Sequence, residues 1–302
     1  MLTNEEIIEE FAQFLHLEKS LSPNSIEAYV HDVHKLTEFL NLYHENTSLQ
    51  ACSAEELRAF VLWLNSFGIA ATSQSRILSG LRGFYDFAQR EQYIETNPTE
   101  LIDLPRLLRH IPEVLSIHEI DRMIQAIDYS KNEGQRNRAI IETLYSCGLR
   151  VSELVDLRIS NCMFDYGYIR VVGKGNKERL VPVSGKAITE IHGYFEQTRN
   201  HQTIQKGSED IVFVNRRGKK MTRVMVFLII KQSAERAGIT KNISPHTFRH
   251  SFATHLIDGG ANLRAVQDML GHESITTTEI YTHITKQHLH NTIMKFHPRA
   301  LH

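Results

Sequence analysis

The chain has 302 residues, 41% of them hydrophobic and 23% charged, more than one hydrophobic core usually serves, so two domains are expected. No apolar run approaches the roughly 20 residues of a membrane helix, the acidic start "MLTNEEIIEE" is unlike a secretory leader, and three widely spaced cysteines (Cys52, Cys147, Cys162) argue for reduced thiols rather than a disulfide or zinc framework; a cytoplasmic protein with no membrane partner is expected. The formal net charge of −1 hides an asymmetry, because residues 1–100 carry 6 Lys/Arg against 15 Asp/Glu while the rest carries 28 against 20, a mild signature of a polyanion partner for the C-terminal two thirds.

The first hundred residues read as helices with clear start signals. After "EEIIEEFAQFLHLE", the stretch "LSPNSIEAYVHDVHKLTEFLNLY" offers Ser22 as cap and Pro23 at the first helical position. Ile26, Tyr29, Val30, Val33, Leu36 and Leu40 then recur at helical spacing. "SAEELRAFVLWLNSFG" opens on a capping box, Ser53 with Glu56, and can end at Gly68. A fourth helix, "ATSQSRILSGLRGFYDFAQRE", carries Arg76, Arg82 and Arg90.

The stretch "NPTELIDLPRLLRHIP" interrupts helical periodicity with three prolines and reads as a connection. The expected organisation is a helical domain over 1–104, a linker over 105–112 and a second domain over 113–302. The second domain opens on another capping box, Ser116 with Glu119, followed by an apolar helix, "RNRAIIETLYSCG", that Gly148 ends. The period then changes: "YIRVV" and "ERLVPV" are strand-like and joined by "GKGNK" as a hairpin loop. Helices resume after Ser184, with a short strand expected at "IVFV".

Four segments carry titratable groups in unusual density. "SPHTFRHSFATHL" places Ser244 and Pro245 at a helix start, with His246 and Arg249 in the positive first turns, where an anion is welcome. A metal site and a set of structural histidines are the alternatives; the i, i+4 pair His246 and His250 lacks the glutamate of H-E-x-x-H. In "CGLRVSEL", Arg150 stands at a tight corner between two helices, as an exposed arginine or as a second guanidinium for the same anion. Lys174 in "VVGKGNKERL" is either a solvated turn residue or a mobile ammonium, with Lys177 as competitor; the P-loop spacing is absent. "LGHESITTTEIYTHI" supplies His272 and Tyr281. Two arginines, two histidines, a lysine and a tyrosine match no hydrolase triad or metal centre; they suit a phosphate attacked by a phenol.

These segments, together with the tail "KFHPRA" and the N-terminal "LSPNSIEAYVHDV" and "ATSQSRILSGLRGFYDFA", resemble the tyrosine site-specific recombinases of the phage-integrase superfamily, Xer type, over nearly the whole chain. The resemblance implies an all-α, SAM-like core-binding domain and a mixed α/β, mainly helical catalytic domain that close on DNA as a C-shaped clamp. It implies Tyr281 as nucleophile, Arg150 and Arg249 on the non-bridging oxygens, Lys174 as acid for the departing 5′ oxygen, His246 as base toward the phenol and His272 as a phosphate ligand, with no metal or nucleotide cofactor. His250 and His255 become supporting or packing residues, and Arg76, Arg82, Lys177 and Arg223 candidate DNA contacts. The implied partners are double-stranded DNA bearing a short palindromic site, three further subunits on two such sites, as a homo-tetramer or as a hetero-tetramer with a XerC-like recombinase, and a regulatory DNA translocase; the tail over about 286–302 would dock on a neighbouring subunit. A first helix beginning near Met1 leaves no room for an arm-binding domain, favouring a chromosome-dimer resolvase over the integrase of a mobile element. A non-catalytic DNA-binding regulator and a type IB topoisomerase are the remaining rivals.

Overall fold

The computed structural model describes residues 2–44, 47–102, 113–131, 133–173, 177–271 and 283–299, without the side chains of 283–288. Lys174, His272, Tyr281 and the linker expected over 105–112 lie outside the described residues. The chain divides into two units, Met1–His110 and Ile111–His302.

The first unit is helical: α1 (Asn4–Leu17), α2 (Pro23–Tyr43), α3 (Ala54–Ser66) and α4 (Ala71–Arg90). Local chemistry sets its boundaries. Ser22 accepts the Ser25 N–H ahead of Pro23, and Ser53 and Glu56 close a reciprocal box on α3. Apolar residues three and four apart then share one buried side, Ile7, Phe11 and Leu15 on α1 and Val33, Leu36 and Leu40 on α2. They meet Leu57, Phe60 and Leu64 of α3 and Leu81 and Phe84 of α4, each fully buried side chain contributing about 2 kcal/mol.

The arginines of α4 are not free cations. Arg76 forms a two-pronged pair with the buried Asp32 of α2, both contacts at 2.6 Å. Arg82 donates to the Ile102 carbonyl at 2.7 Å, and Arg90 pairs with Glu18 at 2.8 Å. Arg76 and Arg82, expected to face DNA, thus tie elements of their own unit together; any phosphate contact by Arg76 would compete with Asp32.

In the second unit α5 (Ile117–Gln125) precedes the central α6 (Gly134–Cys147), buried almost all round. After the single-turn α7 (Val151–Val155) come β1 (Cys162–Met163), β2 (Tyr168–Val172) and β3 (Glu178–Pro182), an antiparallel sheet in the order β1-β2-β3. Helices α8 (Gly185–Gln197), α9 (Arg223–Arg236), α10 (Pro245–Asp258), α11 (Leu263–Leu270) and α12 (His283–Phe296) follow. The two strand-like runs pair as β2 and β3, Ile169 opposite Val181 and Val171 opposite Arg179, and alternation turns all four inward.

"IVFV" is buried but does not form a strand. It makes only isolated bridges, Arg158 with Ile211 and Val214 with Lys220. Its polar groups go elsewhere: the Ile211 carbonyl accepts from the Arg199 guanidinium, Val212 N–H donates to the Leu157 carbonyl and Val214 N–H to the Tyr194 hydroxyl. Satisfied this way, they need no ladder partner. The two-residue β1 is too short for alternation to announce it.

The last described segment, residues 289–299, is seated in its own unit. Leu289 and Ile293 of α12 pack with Phe252, Leu256, Val266 and Met269. Beyond the helix, His297 is fully buried between the rings of Tyr145 and Phe252, and Arg299 pairs with Asp121 at 2.6 Å and with buried Glu142 at 2.9 Å. Docking of this tail on a neighbouring subunit, as the resemblance implies, would therefore start from this seat within the chain.

His297 makes stability pH-dependent. Its Nδ1 accepts the Arg299 N–H at 3.1 Å. Burial above all, then the charges of Arg299 and His255, lower its pKa from 6.5 to about 3. The unfolded chain therefore binds a proton that the folded chain refuses: this contribution is intact above pH 6.5 and is lost as pH falls toward 3. Urea unfolding should show wild-type stability falling by up to about 1.4 kcal/mol per pH unit between pH 6 and 4 from this group. His297→Phe should flatten that slope, and parallel slopes would remove His297 as its source.

Candidate active site

The site grows from two helix ends. At the first, α6 stops at Gly148, whose φ of +58° is left-handed and where a Cβ would stand 2.5 Å from the Phe252 ring, so only glycine turns the chain here without strain. Arg150 follows as the N-cap of α7. Its own N–H donates to Glu153 Oε2 at 2.8 Å and its Nη1 to Glu153 Oε1 at 2.9 Å, which holds a half-exposed guanidinium in place.

The second end is the C-terminus of α11, closed by Gly271 at φ +64°. Three successive carbonyls there each take one guanidinium. Arg179 Nε donates to the Met269 carbonyl at 2.9 Å, Arg249 Nη2 to that of Leu270, and Arg150 Nη2 to that of Gly271 at 3.3 Å. Arg249 also reaches across to the Gly148 carbonyl at 2.8 Å, joining both helix ends. Cations at the negative end of a helix are favourably placed. The close fit extends to Gly271, where a Cβ would lie 3.0 Å from Arg179.

Glu153 supplies the only carboxylate in these contacts. Arg179 grips it as a fork, Nη1 to Oε1 at 2.8 Å and Nη2 to Oε2 at 2.9 Å, with both side chains almost fully buried. Burial alone would raise the Glu153 carboxyl, but the Arg179 contacts, reinforced by Arg150, hold it below its usual value. Arg249 is pulled the other way: burial first and the charge of Arg150 second lower it to about 10, so it remains a cation at neutral pH.

The histidines of α10 separate. Ser244 and Pro245 start the helix as the sequence predicts, and its first two turns carry His246, exposed, and Arg249, buried. His250 is also exposed. His255 turns to the interior, where Nδ1 lies 2.8 Å from the Tyr145 hydroxyl and burial lowers its pKa. The structure brings together Arg150 and Arg249 of the expected set. Lys177 and Arg223 are exposed, one following the hairpin loop and one opening α9. Among the described residues no group of three or more His, Cys, Asp and Glu could hold a metal ion, and no helix is long and apolar enough to cross a membrane.

Sequence reading missed Glu153 and Arg179. The signals were present: a carboxylate three residues after Arg150, and a charge on the inward, otherwise apolar side of a strand.

A model of the phage integrase family matches residues 113–288, and a model of the phage integrase N-terminal SAM-like domain matches residues 8–92. The chain is 41% identical over 301 residues to a tyrosine recombinase XerD of Staphylococcus saprophyticus, covering 97% of this chain and 99% of that protein. It is 40% identical over 296 residues to the XerD of Staphylococcus aureus, covering 98% and 100%. The chain belongs to the phage integrase family of tyrosine recombinases. Its fold is likewise that of the XerH site-specific recombinase bound to palindromic difH substrate, with a TM-score of 0.71 and 22% identity, covering 97% of this chain and 85% of the other. As a tyrosine recombinase it is an enzyme that cleaves and rejoins DNA without metal or ATP. The cluster suits that reaction, since two restrained guanidiniums present charge and directed donors to a phosphodiester without reorganising during the chemical step.

Proposed function

We propose that this recombinase breaks and rejoins DNA through a covalent phosphotyrosyl intermediate on Tyr281. The phenolate oxygen forms a bond to phosphorus while the bond from phosphorus to the 5′ oxygen breaks, leaving a 3′-phosphotyrosyl link and a free 5′-hydroxyl. The phenol proton goes to His246, and Lys174 protonates the departing 5′ oxygen. Arg150 and Arg249 neutralise the charge that develops on the non-bridging oxygens, and His272 donates to one of them. A 5′-hydroxyl from the partner strand then reverses the step, so phosphodiester bond energy is conserved without a cofactor. The observation that carries this reading is the fixing of Arg150 and Arg249 on the carbonyls of α6 and α11.

In this reading four subunits on two palindromic sites exchange strands in pairs through a Holliday junction. The near full-length match to proteins named XerD supports a role in resolving chromosome dimers at cell division, in the cytoplasm and beside a XerC-like partner and a DNA translocase, over that of a mobile-element integrase. Lys177 and Arg223 contribute phosphate contacts. Incubation with nicked genomic fragments and a chelator, followed by sequencing of detergent-resistant complexes, tests this role. One palindromic chromosomal site is the expected result; capture only at the ends of an inserted element would replace it with the integrase reading.

A further inference from the structure

We propose that Arg179 is a positioning residue for DNA cleavage: it offsets the charge of Glu153, so that the arginine cluster keeps a net charge of +2 toward the scissile phosphate. The inference rests on the phosphotyrosyl reading above and adds a residue to it.

Alternation along β3 places Arg179 on the inward side, opposite Val171, a position that packing alone would give to an aliphatic side chain. Burying a guanidinium is costly unless it is fully partnered. Here Nε, Nη1 and Nη2 all have acceptors within the protein, and the side chain is 7% exposed. Arg179 therefore does not serve as a donor to DNA; its action must pass through Glu153 and the end of α11.

Glu153 is shared. The same two oxygens that accept from Arg179 also accept from the backbone and guanidinium of Arg150. Arg150, Arg179 and Arg249 with Glu153 sum to +2, matching the second negative charge that a phosphodiester gains as it becomes pentacoordinate. Without Arg179 the sum is +1, and Glu153 becomes the undivided counter-ion of Arg150. The fork also requires arginine, because a lysine ammonium cannot engage both carboxylate oxygens and the Met269 carbonyl in one plane.

The test compares Arg179→Met, Arg179→Lys, Glu153→Gln and the double variant Glu153→Gln/Arg179→Met. The double variant restores +2 without Arg179 and leaves no unpaired buried carboxylate, so it also guards against a single variant that fails to fold. Single-turnover cleavage of a nicked substrate should slow about 100-fold in Arg179→Met and recover by at least about tenfold in the double variant, with Arg179→Lys between wild type and Arg179→Met. The affinity of the protein alone for inorganic phosphate, measured by calorimetry, should follow the same order. A double variant no better than Arg179→Met in both measurements would overturn the proposal and leave Arg179 a packing residue. Absence of cleavage by wild type would count against the phosphotyrosyl reading, while the phosphate affinities would still decide the role of Arg179.

Discussion

Replacing Tyr281 by phenylalanine is expected to abolish covalent protein–DNA complexes and leave DNA affinity nearly unchanged. The substitution removes one hydroxyl and no charge, and affinity for duplex DNA comes mainly from Lys and Arg contacts to phosphates. In the proposed mechanism cleavage depends entirely on that oxygen. A free phenol has a pKa of about 10, so it needs a base and a positive surrounding to attack at neutral pH; with the hydroxyl gone, neither has anything to act on. Binding should be measured by gel shift and covalent complexes by resistance to detergent. Persistent complexes would remove Tyr281 as nucleophile, and a parallel loss of binding would make it a docking residue.

Arg249→Ala should lower the cleavage rate by about a thousandfold, at the upper end of what loss of one directed donor costs. The size follows from two roles. In the proposed mechanism Arg249 carries a charge toward the phosphate, and in the structure it bridges the Gly148 and Leu270 carbonyls at the ends of α6 and α11. Its loss strands two buried acceptors, at about 1–3 kcal/mol each, so the midpoint of thermal unfolding should also fall. Arg249→Lys should keep the charge and lose the span, giving a smaller defect in cleavage than alanine. DNA affinity should change far less than rate, because the interface spreads over many phosphates; equal losses in rate and affinity would assign Arg249 to docking.

The parts of this molecule legible in the sequence are those written in adjacent residues. Ser22 with Pro23, Ser53 with Glu56, Ser116 with Glu119 and the left-handed Gly148 and Gly271 mark element ends because the groups that cap a helix stand within a turn of it. The two strands of the hairpin were legible from the change of period at "YIRVV" and "ERLVPV". What stayed hidden depends on which elements meet. Asp32 and Arg76 are 44 residues apart, so an arginine that looked free for DNA is held by a buried carboxylate. Glu153 and Arg179 are 26 apart, and Tyr145 and His255 are 110 apart. The sequence grouped His250 with His255 as supporting or packing residues, and only the packing of α10 on α6 separates the exposed His250 from His255 at Tyr145.

The most direct measurement is to map the residue that carries the DNA. Covalent complexes formed on a nicked substrate in the presence of a chelator would be digested with a protease, and the DNA-linked peptide sequenced by mass spectrometry. The account predicts one modified peptide, with the nucleotide on Tyr281 through a 3′-phosphate and an undiminished yield in the chelator. A link at another residue, a 5′-phosphate attachment, or complexes that vanish when divalent ions are removed would contradict it.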